Sequence, residues 1–271
     1  MGYFERLRGL QASRENICVG IDPHPALLAA WGLPDDAAGL ERFSRTVVAA
    51  LGEQVAAVKP QSAFFEQYGA AGIAVLEQVL ADIKAAGAVA ILDAKRGDIG
   101  STMSAYARAY LADGSPLAAD AVTLSPFLGP ESLRPAVELA AQTGRGVYLL
   151  ARTSNPEGAA LQLARHANGV SVAQNVVNFA NECNQTGQES FTGLVVGGTL
   201  TTLDIDLSGF TGSLLVPGIG AQGGSISALS RLFGQTFSQV LPMAGRAILA
   251  AGPREADLVS ALENLLKDNE H

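Results

Sequence analysis

The sequence predicts an α/β protein of one domain spanning residues 1–271, a closed (β/α)8 or TIM barrel. Three observations point there. Eight short apolar runs recur along the chain with helical or loop crossovers between them. The length, 271 residues, is close to the roughly 250 usual for such a barrel. The first run ends in Asp22-Pro23-His24-Pro25, whereas the runner-up architecture, an open doubly wound sheet, more often places a glycine-rich turn there.

Taken in order, Phe4, Leu7 and Leu10 mark a short amphipathic lead-in helix, and Ile17–Ile21 reads as the first strand. Leu40, Phe43, Val47, Ala50 and Leu51 share one helical face, followed by strand Val55–Val58 and its charged end Lys59-Pro60-Gln61. Phe65, Tyr68, Val75, Leu76, Val79, Leu80 and Ile83 line the next helix, which Gly87 stops. Strand Ala88–Leu92 then runs into Asp93-Ala94-Lys95-Arg96-Gly97-Asp98. Asp93 and Lys95 are two apart, so on an extended chain both side chains leave the same face. Gly97 lets the chain turn, and Asp98 is placed to cap a helix begun by Ile99-Gly100-Ser101-Thr102.

The alternation continues with helix Met103–Leu111, strand Ala119–Leu124, helix Pro130–Ala141 and strand Gly146–Leu150, which leads into Ala151-Arg152-Thr153-Ser154-Asn155-Pro156. Val172, Val176, Phe179 and Cys183 make a helical face before strand Gly193–Val196. The connection through Leu203 and Ile205 reads as half a helix, with Asp204 and Asp206 as exposed loop acids. Strand Ser213–Val216 enters a loop with four glycines, Gly218–Gly224, and strand Val240–Met243 runs into Gly245-Arg246. Leu258, Ala261, Leu262 and Leu265 give the last helix its apolar face.

Composition removes several function classes. A net charge of -8 argues against nucleic acid or an anionic membrane as a general partner, so any anionic ligand must be met by local groups. The amino terminus lacks the apolar core of a signal peptide, and no run reaches the roughly 18 apolar residues of a membrane span, which suggests a cytoplasmic protein. Cys18 and Cys183 read as buried thiols in a reducing compartment. No Cys/His cluster has zinc spacing, so no metal site is expected.

In a barrel the carboxyl ends of all strands meet at one mouth, which would gather Asp22, Lys59, Asp93, Lys95, Ser154, Gly218 and Arg246. Gly218–Gly224 offers bare backbone N–H groups to an anion, and Arg246, one strand later, offers a planar fork suited to phosphate. Lys59, Asp93, Lys95 and Asp98 alternate in sign, an arrangement that keeps two ammoniums charged in a water-poor mouth. No serine or cysteine nucleophile is paired with a histidine base, and glycosidase chemistry needs two carboxylates without obligatory lysines. A lysine beside developing negative charge suits carbanion chemistry. A Schiff-base lysine is the competing reading, opposed by neighbouring aspartates that hold lysine protonated.

The run Asp93-Ala94-Lys95-Arg96-Gly97-Asp98-Ile99, preceded by Val58-Lys59-Pro60, resembles orotidine 5'-phosphate decarboxylase. So do Val216-Pro217-Gly218-Ile219-Gly220-Ala221-Gln222-Gly223-Gly224 and Gly245-Arg246-Ala247-Ile248. Thr153-Ser154-Asn155-Pro156 places the resemblance in the longer bacterial branch, and it runs from Ile17 to about Ala250.

The resemblance implies decarboxylation of orotidine 5'-phosphate to uridine 5'-phosphate in pyrimidine biosynthesis, without cofactor or metal. Lys59, Asp93, Lys95 and Asp98 match the charged catalytic network, the last supplied by the partner subunit of a homodimer. Ile99 and Thr102 match positions that also reach across, toward the pyrimidine and the ribose. Asp22 matches a ribose-hydroxyl ligand and Ser154 the reader of the pyrimidine edge. Gly218, Gln222, Gly223 and Arg246 fall in the phosphate-binding blocks. The rival enzyme, a related 3-keto-gulonate 6-phosphate decarboxylase, uses magnesium and has an acid where this chain has Lys59. A non-catalytic phosphate-binding barrel is the rival from another class.

Overall fold

Apolar runs without polar alternation need cover on both faces, and parallel strands receive it from the helices that connect them. The computed structural model describes residues 2–185, 190–220 and 223–267. Its strands close a parallel barrel in chain order: β1 (Glu15–Ile21), β2 (Val55–Pro60), β3 (Val89–Arg96), β4 (Ala121–Leu124), β5 (Gly146–Arg152), β6 (Thr192–Val196), β7 (Leu214–Ile219) and β8 (Val240–Ala244). Closure is made where Cys18 and Val19 of β1 pair with Met243 and Ala244 of β8.

Two apolar layers follow. Outside the strands, Phe43, Leu51, Ile83, Leu111, Val177 and Leu258 are buried between barrel and helices. At the amino-terminal end, the helix Tyr3–Ser13 lays Tyr3, Phe4 and Leu7 against Cys18, Ala57, Val89 and Tyr148. A side chain at Gly146 would meet the Tyr3 ring at 2.5 Å, and one at Gly193 would meet the Tyr148 ring at 2.5 Å, so these two glycines admit the aromatics. The buried hydroxyls are partnered: Tyr3 donates to Tyr148 at 3.2 Å, and Tyr148 donates to Ser213 at 3.0 Å. Burial pushes both phenols up, which keeps this pair neutral.

The elements depart from the sequence reading mainly at their ends. β3 and β5 continue through the polar residues as far as Arg96 and Arg152, because pairing with neighbouring strands does not stop where the apolar run stops. The helix expected over Pro130–Ala141 is instead a 3-10 turn, Pro130–Leu133, followed by the helix Arg134–Thr143. Pro135, in its first turn, lacks an N–H and suits a helix start rather than an interior. The half-helix expected through Leu203 and Ile205 is absent: Ile205 and Leu207 are buried while Asp204, Asp206 and Ser208 are exposed, a period of two on an irregular path. Among the described residues no helix is long and apolar enough to cross a membrane.

Candidate active site

The carboxyl end of β3 is not a regular strand. Leu92 pairs with Val122 and Arg96 with Leu124, so Asp93, Ala94 and Lys95 bulge opposite the single residue Thr123. Lys95 sits at φ +47, the left-handed region, the only non-glycine described there. Such a conformation costs on the order of 1–3 kcal/mol and persists when its surroundings fix it. Thr123 is one fixing group, since its hydroxyl accepts from the Lys95 N–H at 3.0 Å and donates to Asp93 Oδ1 at 2.7 Å.

The bulge brings three charges into a row. Lys59 Nζ lies 2.8 Å from Asp93 Oδ2, and Lys95 Nζ lies 2.7 Å from Asp93 Oδ1. Lys59 also donates to Gln61 Oε1 at 3.0 Å. Lys59 and Asp93 are buried, while the Lys95 side chain is 44% exposed and faces the opening. Burial pushes the Asp93 carboxyl up, but Lys59 and Lys95 outweigh it and hold the group well below the usual carboxylate range. For Lys59, burial works to lower the pKa, and Asp93 with Asp22 reverse it, leaving the ammonium favoured.

This row lies in a cavity of about 270 Å³ at the carboxyl ends of the strands, with Asp22, Thr123 and Ser154 in its wall and Leu150, Val195, Leu215 and Met243 as apolar lining. Ser154 comes close because Gly197 has no side chain: a Cβ there would meet the Ser154 backbone N at 2.7 Å. The Asp22 carboxylate has room for the same reason, since Cβ atoms at Gly20 and Gly245 would meet it at 3.1 and 3.0 Å. A smaller cavity of about 70 Å³ shares Asp22, Pro217 and Met243 and adds Gly218, Gly245 and Arg246. Gly218 adopts φ +116 and Gly223 φ +86, and the Gly224 N–H donates to the Gly218 carbonyl at 3.1 Å. Gln222 lies outside the described residues.

Asp98, Ile99 and Thr102 do not join the cavity of their own chain. Asp98 is not the helix cap that its position suggested: the helix starts at Gly100 with Ile99 as its N-cap, and Asp98 Oδ1 accepts from the adjacent Ile99 N–H at 2.8 Å. The left-handed Gly100, φ +53, sets the helix one residue too late for that cap. Among the described residues Asp98 forms no ion pair with Lys59 or Lys95. Ile99 is 62% exposed, and on the loop after β4 Phe127 is 73% exposed. Two apolar side chains therefore project from adjoining strand ends.

Thr123 and Gln61 were not legible as site residues. Thr123 is the one polar residue inside the four-residue apolar strand β4, and that break in an otherwise apolar strand was the available signal. Gln61 follows Lys59 by two, the same spacing that linked Asp93 with Lys95. Among the described residues no three His, Cys, Asp or Glu side chains are grouped to hold a metal ion. Asp204 instead pairs with the buried Arg152 at 3.3 Å.

The family profile described as Orotidine 5'-phosphate decarboxylase / HUMPS family matches residues 15–260. A Salinispora arenicola protein named orotidine 5'-phosphate decarboxylase is 53% identical over 264 residues, covering 97% of this chain and 95% of its own. One of the same name from Streptomyces coelicolor is 51% identical, covering 95% of this chain and 93% of its own. Among solved structures, a Streptomyces avermitilis homologue superposes with TM-score 0.92 at 50% identity, covering 99% of this chain and 95% of that one. Leishmania donovani OMP decarboxylase superposes with TM-score 0.76 at 30% identity, each chain covered in full at 100%.

Proposed function

The chain belongs to the Orotidine 5'-phosphate decarboxylase / HUMPS family, and from that premise we propose that it converts orotidine 5'-phosphate to uridine 5'-phosphate and carbon dioxide in pyrimidine biosynthesis. The observation that carries the reading is the Lys59–Asp93–Lys95 row at the edge of a cavity whose neighbour is lined by Gly218 and Arg246.

When the bond from C6 to the carboxylate breaks, its electron pair stays on C6 in the ring plane, where the π system cannot spread it. The charge has to be met in place by a preorganised cation. Lys95, ion-paired with Asp93 at 2.7 Å, stabilises it and delivers a proton from Nζ to C6; carbon dioxide leaves and the neutral amine regains a proton from water. Lys59 keeps Asp93 ionised and fixed. Asp22 takes the ribose hydroxyls, Ser154 the pyrimidine edge, and Gly218, Gln222, Gly223 and Arg246 the phosphate. No cofactor enters this scheme.

Asp98, Ile99 and Thr102 act from a second copy of this chain in a homodimer. That assignment is supported by their absence from the cavity of their own chain and by the exposed Ile99 and Phe127. A cytoplasmic location belongs to the same reading. The sugar-phosphate alternative within the family is disfavoured by Lys59, since a buried ammonium is a poor neighbour for a divalent cation.

The test follows loss of orotidine 5'-phosphate absorbance with the purified protein. Lys95→Ala should cost roughly 10²–10⁴-fold in rate, the range of a lost general acid. A folded Lys95→Ala protein working at the parental rate, or a parental protein inert toward this nucleotide, would overturn the reading.

A further inference from the structure

Lys95 owes its aim to a left-handed backbone turn that no glycine makes easy, and the residue that follows it is fastened on several sides. We infer that Arg96 is a positioning residue for the decarboxylation: its guanidinium locks the β3 bulge and thereby points the Lys95 ammonium into the cavity. The inference rests on the reading of Lys95 as proton donor.

Arg96 Nη1 donates to the Ala94 carbonyl inside the bulge at 3.1 Å, and Nε donates to the Tyr110 hydroxyl at 3.3 Å. Its Nη2 pairs with Glu66. Glu66 in turn accepts from the Ser62 hydroxyl at 2.5 Å, and the Ser62 N–H donates to the Asp93 carbonyl at 3.1 Å. The Arg96 carbonyl accepts from Ser125 at 2.8 Å. Two carbonyls of the bulge are therefore tied through Arg96: that of Ala94 to its guanidinium, and that of Asp93 to Ser62, whose hydroxyl donates to Arg96's partner Glu66. The loop after β2, the bulge of β3 and the helix Gly100–Leu111 all meet on one side chain.

Three acceptors in three directions call for a planar fork with several N–H groups, which a lysine ammonium at that position cannot match. Arg96 does not line the cavity, so its effect on the reaction passes through Lys95 rather than through contact with substrate. A displaced catalytic group is costly even when displacement is small: about 1 Å is worth up to roughly 10²-fold in rate.

The experiment measures kcat and KM for Arg96→Ala, Arg96→Lys and Lys95→Ala in otherwise intact protein. Arg96→Ala should lose roughly 10²-fold in kcat with KM little changed. Arg96→Lys should recover little of it, and millimolar guanidinium should restore part of the Arg96→Ala rate but none of the Lys95→Ala rate. If Arg96→Ala does not fold, Glu66→Gln removes the charge that anchors the guanidinium at nearly constant shape and should lower kcat in the same direction. A folded Arg96→Ala with parental kcat, a loss confined to KM, or no response of a slowed Arg96→Ala to guanidinium overturns the role of Arg96. An inactive Lys95→Ala beside an unimpaired Arg96→Ala overturns this inference alone, whereas an active Lys95→Ala removes the reaction scheme and this inference with it.

Discussion

Asp93 accepts from ammoniums at 2.8 and 2.7 Å on its two oxygens, and its charge is what makes Lys59 tolerable inside the barrel. Its folded pKa lies below the unfolded value of about 3.9, so the stability it contributes is complete above that value and is lost as pH falls toward the depressed one. Lys59 has the opposite sign: its raised folded pKa gives stability that is complete below the unfolded value of about 10.4 and disappears as pH rises through the folded one. Asp93→Asn leaves a buried ammonium without its counter-charge and should cost roughly 3–5 kcal/mol in urea unfolding near neutrality. The gap to the parental protein should narrow below about pH 4, where Asp93 of the unfolded parental chain takes up a proton while the folded carboxylate stays ionised; a gap that stays constant into acid would disprove the pairing. Charged residues at the end of apolar strands stand out in sequence because a core has no use for them, which is why Lys59, Asp93 and Lys95 were legible. Thr123 was not, because a threonine in a strand is ordinary until its hydroxyl is seen between Asp93 and Lys95.

Elements were legible in their middles and less so at their ends. Apolar periodicity locates the buried centre of β3, but its last four residues obey a bulge whose cause lies in Thr123, Arg96 and the loop after β2. The same spacing of two that set Asp93 and Lys95 side by side assumed a regular strand; they do meet, through a left-handed Lys95 rather than through the pleat. The connection after β6 misled for a related reason, since its alternating burial has strand period without strand pairing. At the opposite end of the barrel, Gly193 was read only as the start of a strand, yet it makes room for the Tyr148 ring. Gly193→Ala should therefore overpack that layer and lower stability by about 1–3 kcal/mol, read as a fall in the denaturation midpoint with the unfolding slope unchanged. An unchanged midpoint would mean that the aromatic layer is loose.

For the molecule as a whole, the barrel order followed from alternation along the chain, while any contact between copies had no periodic signature to betray it. Phe127 and Leu128 sit in a short loop and are 73% and 53% exposed, more apolar surface than a loop tip needs. If Asp98 serves a neighbour's cavity, mixing inactive Lys95→Ala and Asp98→Ala dimers should regenerate activity, because each mixed dimer contains one intact set of charges. Absence of recovery after demonstrated subunit exchange would place each complete set within a single chain.

The rings of Tyr3, Phe4 and Tyr148 stopper the barrel at its amino-terminal side. Among the described residues, the cavity is accordingly reached from the carboxyl ends of the strands. Under the proposed reaction, carbon dioxide formed in the cavity would leave from the same side as the nucleotide, so the order of departure is decided at that mouth.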